Sequence, residues 1–523
     1  MKTEIPLLEG SYKYLGLLAV LLLFIVLRWN NFNAPLIRDE GEYACAGRLL
    51  MHGMAPYEHA FIQKPPMVIY SYALANLLLP HVFWAPRLLA CGFVLLATAL
   101  LGCIARLEWG GGLALPAMGL MTVMVLLPGA DQFTANTEMF LLLPLLATLL
   151  VYLRDRHSHR RRRHWLVAGF LAATTLAYKY TALPLLLFIF AAWSVEQWRQ
   201  TRDAGVLQRS WVAAVVGGLM AMALELGYFW VHDGGRHLWE CTVSFNRLYV
   251  ESNTFGWIRL GSQLGRFWNE WWILFLVPWA IFLSFKPRMW FWIGLFLCAW
   301  LATGASGYSQ YYVVVMPFWA LLCAMGINAL ALRINALPAR PKAWPGALLT
   351  ALVVLLLLWP DAPWIFSSRE QFAEKKMGGF PFVGSLAVAS RVAELSTADD
   401  RVFVAGSEPQ ILFYAHRRSP TRFLTVYPLM IPTSMAVAYQ REAIQNLTMQ
   451  PPKLVVFCTT PNSWLRQPAT PPAFLDFLDS LLKQNYTLIG GYVPDGKAGH
   501  WSEPLSANEQ ADASLLLYRR RAP

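Results

Sequence analysis

The sequence predicts an α-helical, multi-spanning membrane protein of about eleven transmembrane helices plus interfacial helices, carrying a C-terminal extracytoplasmic α/β domain. Three observations predict it. Only 14% of the residues are charged, where soluble proteins carry about 25%. Apolar runs recur from residue 13 to residue 366 at lengths close to the roughly 20 residues that cross a bilayer core. After about residue 367 the pattern changes to short β-like runs that alternate with helical ones.

The candidate spans are 13–28, 85–106, 112–128, 138–153, 165–178, 181–197, 211–231, 271–285, 289–303, 311–332 and 345–366. The first has Lys2 and Lys13 before it, as a signal peptide would, but no small-x-small cleavage site, and Arg28 follows it. It reads as a retained helix. The segment "MVIYSYALANLLLP", 67–80, is too short to cross, because at ~1.5 Å per residue it reaches only about 21 Å. It reads as an interfacial or re-entrant helix bounded by Pro65–Pro66 and Pro80.

Loop charge sets the expected orientation. The run "RDRHSHRRRRH", 154–164, is the strongest cytoplasmic signal, followed by 196–209, "KPR" 286–288 and 333–342. With these inside, the N-terminus is cytoplasmic, and Asp39, Glu138 and the C-terminal region lie on the extracytoplasmic side of a cell (inner) membrane. The transmembrane region is then 1–366, with external loops 29–84 and 232–270, and 367–523 forms the extracytoplasmic domain. Trp271–Trp272 mark an interfacial aromatic belt at the end of the second loop. In the C-terminal region "RVFVAG" 401–406, "KLVVFC" 453–458, "YTLIGGYV" 486–493 and "SLLLYR" 514–519 read as strands, and 383–396, 408–417, 434–447 and 473–484 as helices.

The net charge of +12 follows from these loop clusters, so a nucleic-acid partner is not implied. The seven cysteines have no paired or metal-ligand spacing. Neither a GxGxxG nor a P-loop is present, so no nucleotide is assigned.

Chemistry concentrates at the expected outer face. Asp39, Glu40 and Glu42 start the first loop, Lys64 stands beside a rigid Pro–Pro, Glu138 begins a helix and Lys179 sits at a turn between two apolar runs. Tyr308, Gln310, Tyr311 and Tyr312 reach the same face. Bond cleavage at a sugar–phosphate leaves negative charge that lysine or arginine stabilises in a low-dielectric cleft. A carboxylate beside an incoming hydroxyl takes its proton. Charges between apolar runs tend to be functional. Other roles compete for the same residues: Asp39, Glu40 and Glu138 suit helix starts, Lys64 suits interfacial snorkelling, the tyrosines suit an aromatic belt, and Glu42 reads as solvated. Arg236, Arg247, Arg259 and Arg266 are candidate contacts to a phosphate or sugar, and Glu225 is an intramembrane acid.

The order "DE" (39–40), "KPP" (64–66), "ANTEMFLLL" (135–143), "LAYKYTALPLLL" (176–187) and "YSQYYVVVMPFWALL" (308–322) resembles the bacterial branch of the protein O-mannosyltransferase and aminoarabinose-transferase family. These are C-type (GT-C) membrane glycosyltransferases that use polyprenyl-phosphate sugars. The resemblance covers about residues 10–335. "RVFVAGSEPQILFYAHRRSPTRFL", 401–424, is similar to the external domain of uncharacterised bacterial members.

The resemblance implies catalytic roles for Asp39 and Glu40, and substrate-binding roles for Lys64, Glu138, Lys179 and Tyr312, with Pro317 completing the last motif. Gln310–Tyr311 stand where relatives often carry a histidine, and Gln63 replaces an acid often seen before K-P. The implied reaction moves a hexose or pentose from a polyprenyl-phosphate donor to a hydroxyl acceptor, with inversion; the acceptor is a glycan, lipid or protein. No metal ligand is assigned, and a divalent cation stays open. A transporter or flippase of lipid-linked sugars is the alternative, and it expects charges near mid-membrane and an internal repeat.

Overall fold

The computed structural model describes residues 11–128, 132–158, 162–252, 257–282, 288–303, 308–335, 345–377, 381–495 and 499–521. The chain divides into two compact units. One comprises Met1–Phe32, Arg87–Gly227 and Phe255–Phe366; the other comprises Asn33–Pro86, Tyr228–Thr254 and Ser367–Pro523. The segments expected as external loops thus belong largely to the same unit as the C-terminal region, rather than lying as loops on the helical one.

The first unit is helical. Among the described residues five helices are long and apolar enough to cross a membrane: Ala85–Trp109, Thr137–Arg156, Tyr180–Thr201, Ala204–Val231 and Met316–Asn335. Gly16–Arg28, Gly111–Leu126, Met289–Leu301 and Pro345–Leu358 are shorter apolar helices. Their outward side chains are apolar: Leu224 is 71% exposed and Leu297 55%. Such side chains suit lipid, in a multi-pass membrane protein, better than water.

Small residues let these helices approach closely. A Cβ added at Gly217 would lie 1.9 Å from the carbonyl oxygen of Leu166, so the helices Arg162–Tyr178 and Ala204–Val231 touch backbone to backbone there. The expected span 271–285 is not one continuous helix. A 3-10 turn covers Trp272–Leu276 and a four-residue helix covers Trp279–Phe282. Pro278 lies between them and cannot donate a backbone hydrogen bond; residues 283–287 lie outside the described residues. Arg28, which follows the first apolar run, is buried. Its guanidinium donates to the carbonyls of Gln132 and Leu126, because a buried cation needs acceptors.

The second unit holds a five-stranded sheet of β1 (Val402–Ala405), β2 (Leu454–Cys458), β3 (Tyr486–Val493), β4 (His500–Ser502) and β5 (Leu515–Arg520), in the order β1-β2-β5-β3-β4. β1 and β2 are parallel, and the remaining pairs are antiparallel. All four strands read from sequence are present. β4 is new; three residues, one exposed and two half-buried, leave no alternation to detect.

Segment 67–80 is the helix Met67–Leu78 of this unit. Phe61 joins the unit's three chain segments: its ring lies 5.0 Å from Phe245, 5.6 Å from Phe423 and 5.2 Å from Tyr439. Arg422 ties two of these segments together by bonding Glu240 at 2.7 Å, and it holds Glu442 of its own segment at 2.7 Å.

Candidate functional site

The sequence-predicted residues fall into two clusters, one in each unit. The first is built on the helix Arg38–Met51. Its start is pinned to the segments after β1 and β2: Arg38 Nε donates to the Ser407 carbonyl at 2.9 Å, and Arg38 Nη2 donates to the Asn462 carbonyl at 2.9 Å. Leu36 N–H donates to the Tyr414 hydroxyl at 2.7 Å. Gly41 allows the helix to lie against Gln410, since a Cβ there would sit 2.5 Å from the Gln410 nitrogen.

The three acids of this turn have different surroundings. Glu40 is fully buried, and its Oε2 accepts from the backbone N–H of Ile37 at 3.2 Å, which closes the first helical turn. Glu42, expected to be solvated, is only 5% exposed and accepts from the Thr425 hydroxyl at 3.3 Å. The correction has a plain cause: the position three residues beyond Asp39 faces inward, and period alone does not say which face of a helix meets a later segment. Burial first, and then the charge of Asp39, push the Glu42 carboxyl up to about 8, against the opposing pull of Lys64. Asp39 is half-buried, and among the described residues no hydrogen bond or ion pair holds its carboxylate.

Lys64 is half-buried too, inside electrostatic reach of Glu42. Its loop is fixed through backbone carbonyls. The Tyr57 hydroxyl donates to the Lys64 carbonyl at 2.7 Å, and Asn246 Nδ2 donates to the Gln63 carbonyl at 2.8 Å. Tyr427 belongs to the same surroundings. Burial, then the charges of Glu42 and Asp39, hold its phenol well above the usual range. Asp39, Glu42, Lys64, Thr425 and Tyr427 therefore form one electrostatically coupled group. Thr425 and Tyr427 lie almost 400 positions from Asp39 in a stretch with no motif of its own, so no local signal marks them.

The second cluster lies in the helical unit. Glu138 stands in the first turn of Thr137–Ser158, and Lys179 directly follows Arg162–Tyr178. The two form a buried ion pair. Lys179 Nζ also lies 3.3 Å from the centroid of the Tyr311 ring, a cation–π contact. The Thr137 hydroxyl donates to Glu138 Oε2 at 3.0 Å. Of the pair Gln310–Tyr311, Tyr311 faces the lysine.

Tyr312 is fully buried, 5.4 Å from Phe267 and 5.7 Å from Trp300 between ring centroids, while Tyr308 is exposed. Of the tyrosines only Tyr308 has the exposure an aromatic belt requires; of the expected belt pair Trp271–Trp272, Trp272 is exposed but Trp271 is fully buried. Arg247 is 81% exposed in its side chain and pairs with Glu251 at 3.0 Å, one helical turn on. The side chains of Arg259 and Arg266 lie outside the described residues. Glu225 is buried. Among the described residues no group of three or more ligating side chains is placed to hold a metal ion.

Residues 63–224 match the family model described as dolichyl-phosphate-mannose-protein mannosyltransferase. ArnT from Cupriavidus metallidurans in the apo state has 14% identity and a TM-score of 0.57, over 97% of this chain and 97% of that one. The same protein bound to undecaprenyl phosphate gives 13% identity and 0.56, over 97% and 98%. The archaeal oligosaccharyltransferase AglB from Archaeoglobus fulgidus, in complex with an inhibitory peptide and a dolichol-phosphate, has 12% identity and a TM-score of 0.51, over 95% of this chain and 75% of that one. No curated protein matches the chain by sequence. The fold is similar to those of ArnT and AglB. Its similarity to ArnT extends over nearly the whole of both chains.

Proposed function

We propose that this chain is a membrane glycosyltransferase that moves a sugar from a polyprenyl-phosphate donor to a hydroxyl acceptor on the extracytoplasmic face, with the N-terminus in the cytoplasm. The observation that carries this reading is the environment of Asp39. It is a half-buried carboxylate with no hydrogen-bond or ion-pair partner among the described residues, one and three positions before Glu40 and Glu42, which both have one. A similar fold, in ArnT, binds undecaprenyl phosphate, and the family model matched over 63–224 is one of dolichyl-phosphate-mannose-dependent transfer.

In the proposed reaction Asp39 accepts the proton of the acceptor hydroxyl. The oxygen attacks the anomeric carbon from the face opposite the phosphate. The anomeric carbon–oxygen bond breaks, and its electron pair leaves with the polyprenyl phosphate, so configuration inverts. Phosphate is a sufficient leaving group without a general acid, and cationic side chains stabilise the charge it gains. Lys64 and Lys179 are assigned that role. Glu138 and Tyr311 position Lys179, and donor phosphate would compete with Glu138 for it. Glu40 supports the helix turn that presents Asp39, Tyr312 supports the stretch that carries Tyr311, and Arg247 remains available from the surface for a sugar contact. Whether the sugar is a hexose or a pentose follows from the donor test below.

The test is Asp39→Asn in the purified full chain, assayed with a panel of synthetic polyprenyl-phosphate hexoses and pentoses. Loss of a general base lowers turnover by about 10²–10⁴-fold, with donor binding retained. A variant that transfers sugar at the wild-type rate overturns the assignment. Wild-type protein that moves the lipid-linked sugar between leaflets without transferring it supports the flippase instead.

A further inference from the structure

The unit formed by 33–86, 228–254 and 367–523 carries an open-mouthed cavity of about 490 Å³. That size suits a small ligand, for which pockets run at about 300–1,000 Å³. Five arginines line it, Arg48, Arg401, Arg417, Arg418 and Arg422, against the carboxylates of Glu58 and Glu442. Glu442 is committed to Arg422, which also bonds Glu240. One exposed acid, Glu58, therefore faces the other four cations.

Those four are of two kinds. Arg48 and Arg417 are anchored on carbonyl oxygens: Arg48 on Phe413 at 3.0 Å and Leu412 at 3.1 Å, Arg417 on Ser396 at 2.6 Å and Ala415 at 2.8 Å. Neutral carbonyls orient a guanidinium but leave its charge uncancelled. Arg401 and Arg418 are neighbours through a parallel backbone bridge. Neither of their guanidinium groups has a hydrogen bond or ion pair among the described residues.

The crowding has an electrostatic mark. Burial, and then the charges of Arg418 and Arg417, hold Arg48 below the usual arginine range. Burial, followed by Arg48, His81 and Arg417, likewise lowers the His416 imidazole. Holding several like charges around one partly buried pocket is costly. A ligand of opposite sign removes that cost, and arginine forks match phosphate oxygens two at a time.

We propose that this cavity is a binding site for a phosphate-bearing ligand, gripped by Arg401 and Arg418 with Arg48 and Arg417 as fixed positive charges behind them. Four cations against one acid suit the double charge of a phosphate ester better than a single carboxylate. The volume leaves room for a sugar- or glycerol-sized group attached to the phosphate. The assignment concerns binding and stands whether or not Asp39 acts as a base.

Titrating inorganic pyrophosphate into the detergent-solubilised full chain by calorimetry tests it. Wild type is expected to bind saturably at one site, more weakly as salt rises. Arg401→Ser/Arg418→Ser should bind at least tenfold more weakly at an unchanged Tm, since neither side chain is fully buried. Lys375→Ser/Arg466→Ser removes two cations that do not line the cavity and should bind like wild type. The assignment is overturned by absence of saturable binding in wild type, by equal weakening in both double variants, or by unchanged binding in the first. Competition separates the sources. Displacement by dihexanoyl phosphatidic acid assigns a lipid head group, and displacement by glucose 1-phosphate assigns a soluble sugar phosphate. Displacement by neither overturns the choice of phosphate esters.

Discussion

At the residue scale, the turn Asp39–Glu42 shows how environment separates chemically similar side chains. Glu40 spends its carboxylate on a backbone N–H, Glu42 is buried beside Asp39 and Thr425, and Asp39 stays half-exposed. Glu42 supplies a pH prediction. Its carboxyl rises from 4.5 to about 8 on folding, so between these values the folded chain holds a proton that the unfolded chain has lost. Stability contributed at this position is therefore present at low pH and declines as pH rises from about 5 to 8. Glu42→Gln keeps the neutral form at every pH. Thermal unfolding is expected to show the Tm of Glu42→Gln gaining on wild type across that window, and parallel Tm profiles would contradict the burial argument. Asp39 and Lys64 were legible in the sequence because acids and lysines beside apolar runs are rare and demand a reason. Glu42's burial was not legible, because it depends on Thr425 and Tyr427, which arrive from nearly 400 residues away.

At the element scale, the ends of two helices meet through Glu138 and Lys179. Each residue was picked out singly from its place at the end of an apolar run. Their pairing was not, since nothing in either local pattern names the partner. A buried pair behaves asymmetrically: removing one member leaves the other charged and unpartnered, at about 3–5 kcal/mol, whereas replacing both with apolar or neutral groups is milder. Glu138→Gln alone is thus expected to lower the detergent-solubilised protein's Tm more than Glu138→Gln/Lys179→Met does. A double variant no more stable than the single would show that the lysine left behind in Glu138→Gln carries no penalty for lacking its partner. Elsewhere at this scale, hydropathy marked 271–285 as one apolar run, but Pro278 interrupts its hydrogen bonding. The run becomes a 3-10 turn followed by a short helix.

At the scale of the whole molecule, the compact unit around the sheet is assembled from three separated stretches, 33–86, 228–254 and 367–523. Phe61 and Phe245 contribute rings to a cluster with Phe423 and Tyr439, and Glu240 shares Arg422 with Glu442. A fragment of 367–523 expressed alone would lose Phe61, Phe245 and Glu240. It is expected to bind a hydrophobic dye and to exchange the amides around 421–442 faster than the full chain does. Equal protection in fragment and full chain would show that 367–523 is self-sufficient.

The sequence by itself determined the class of the protein and the location of four of the five strands. Scarce charge, apolar runs of bilayer length and a change of period after residue 367 are local quantities, fully present in the order of residues. It also marked the charged positions that need explanation. Only the tertiary structure decided which of those charges are already satisfied, which stay available, and that five arginines from distant stretches surround one cavity. Burial and partnership are properties of pairs of segments, and a linear pattern records each segment without its partner.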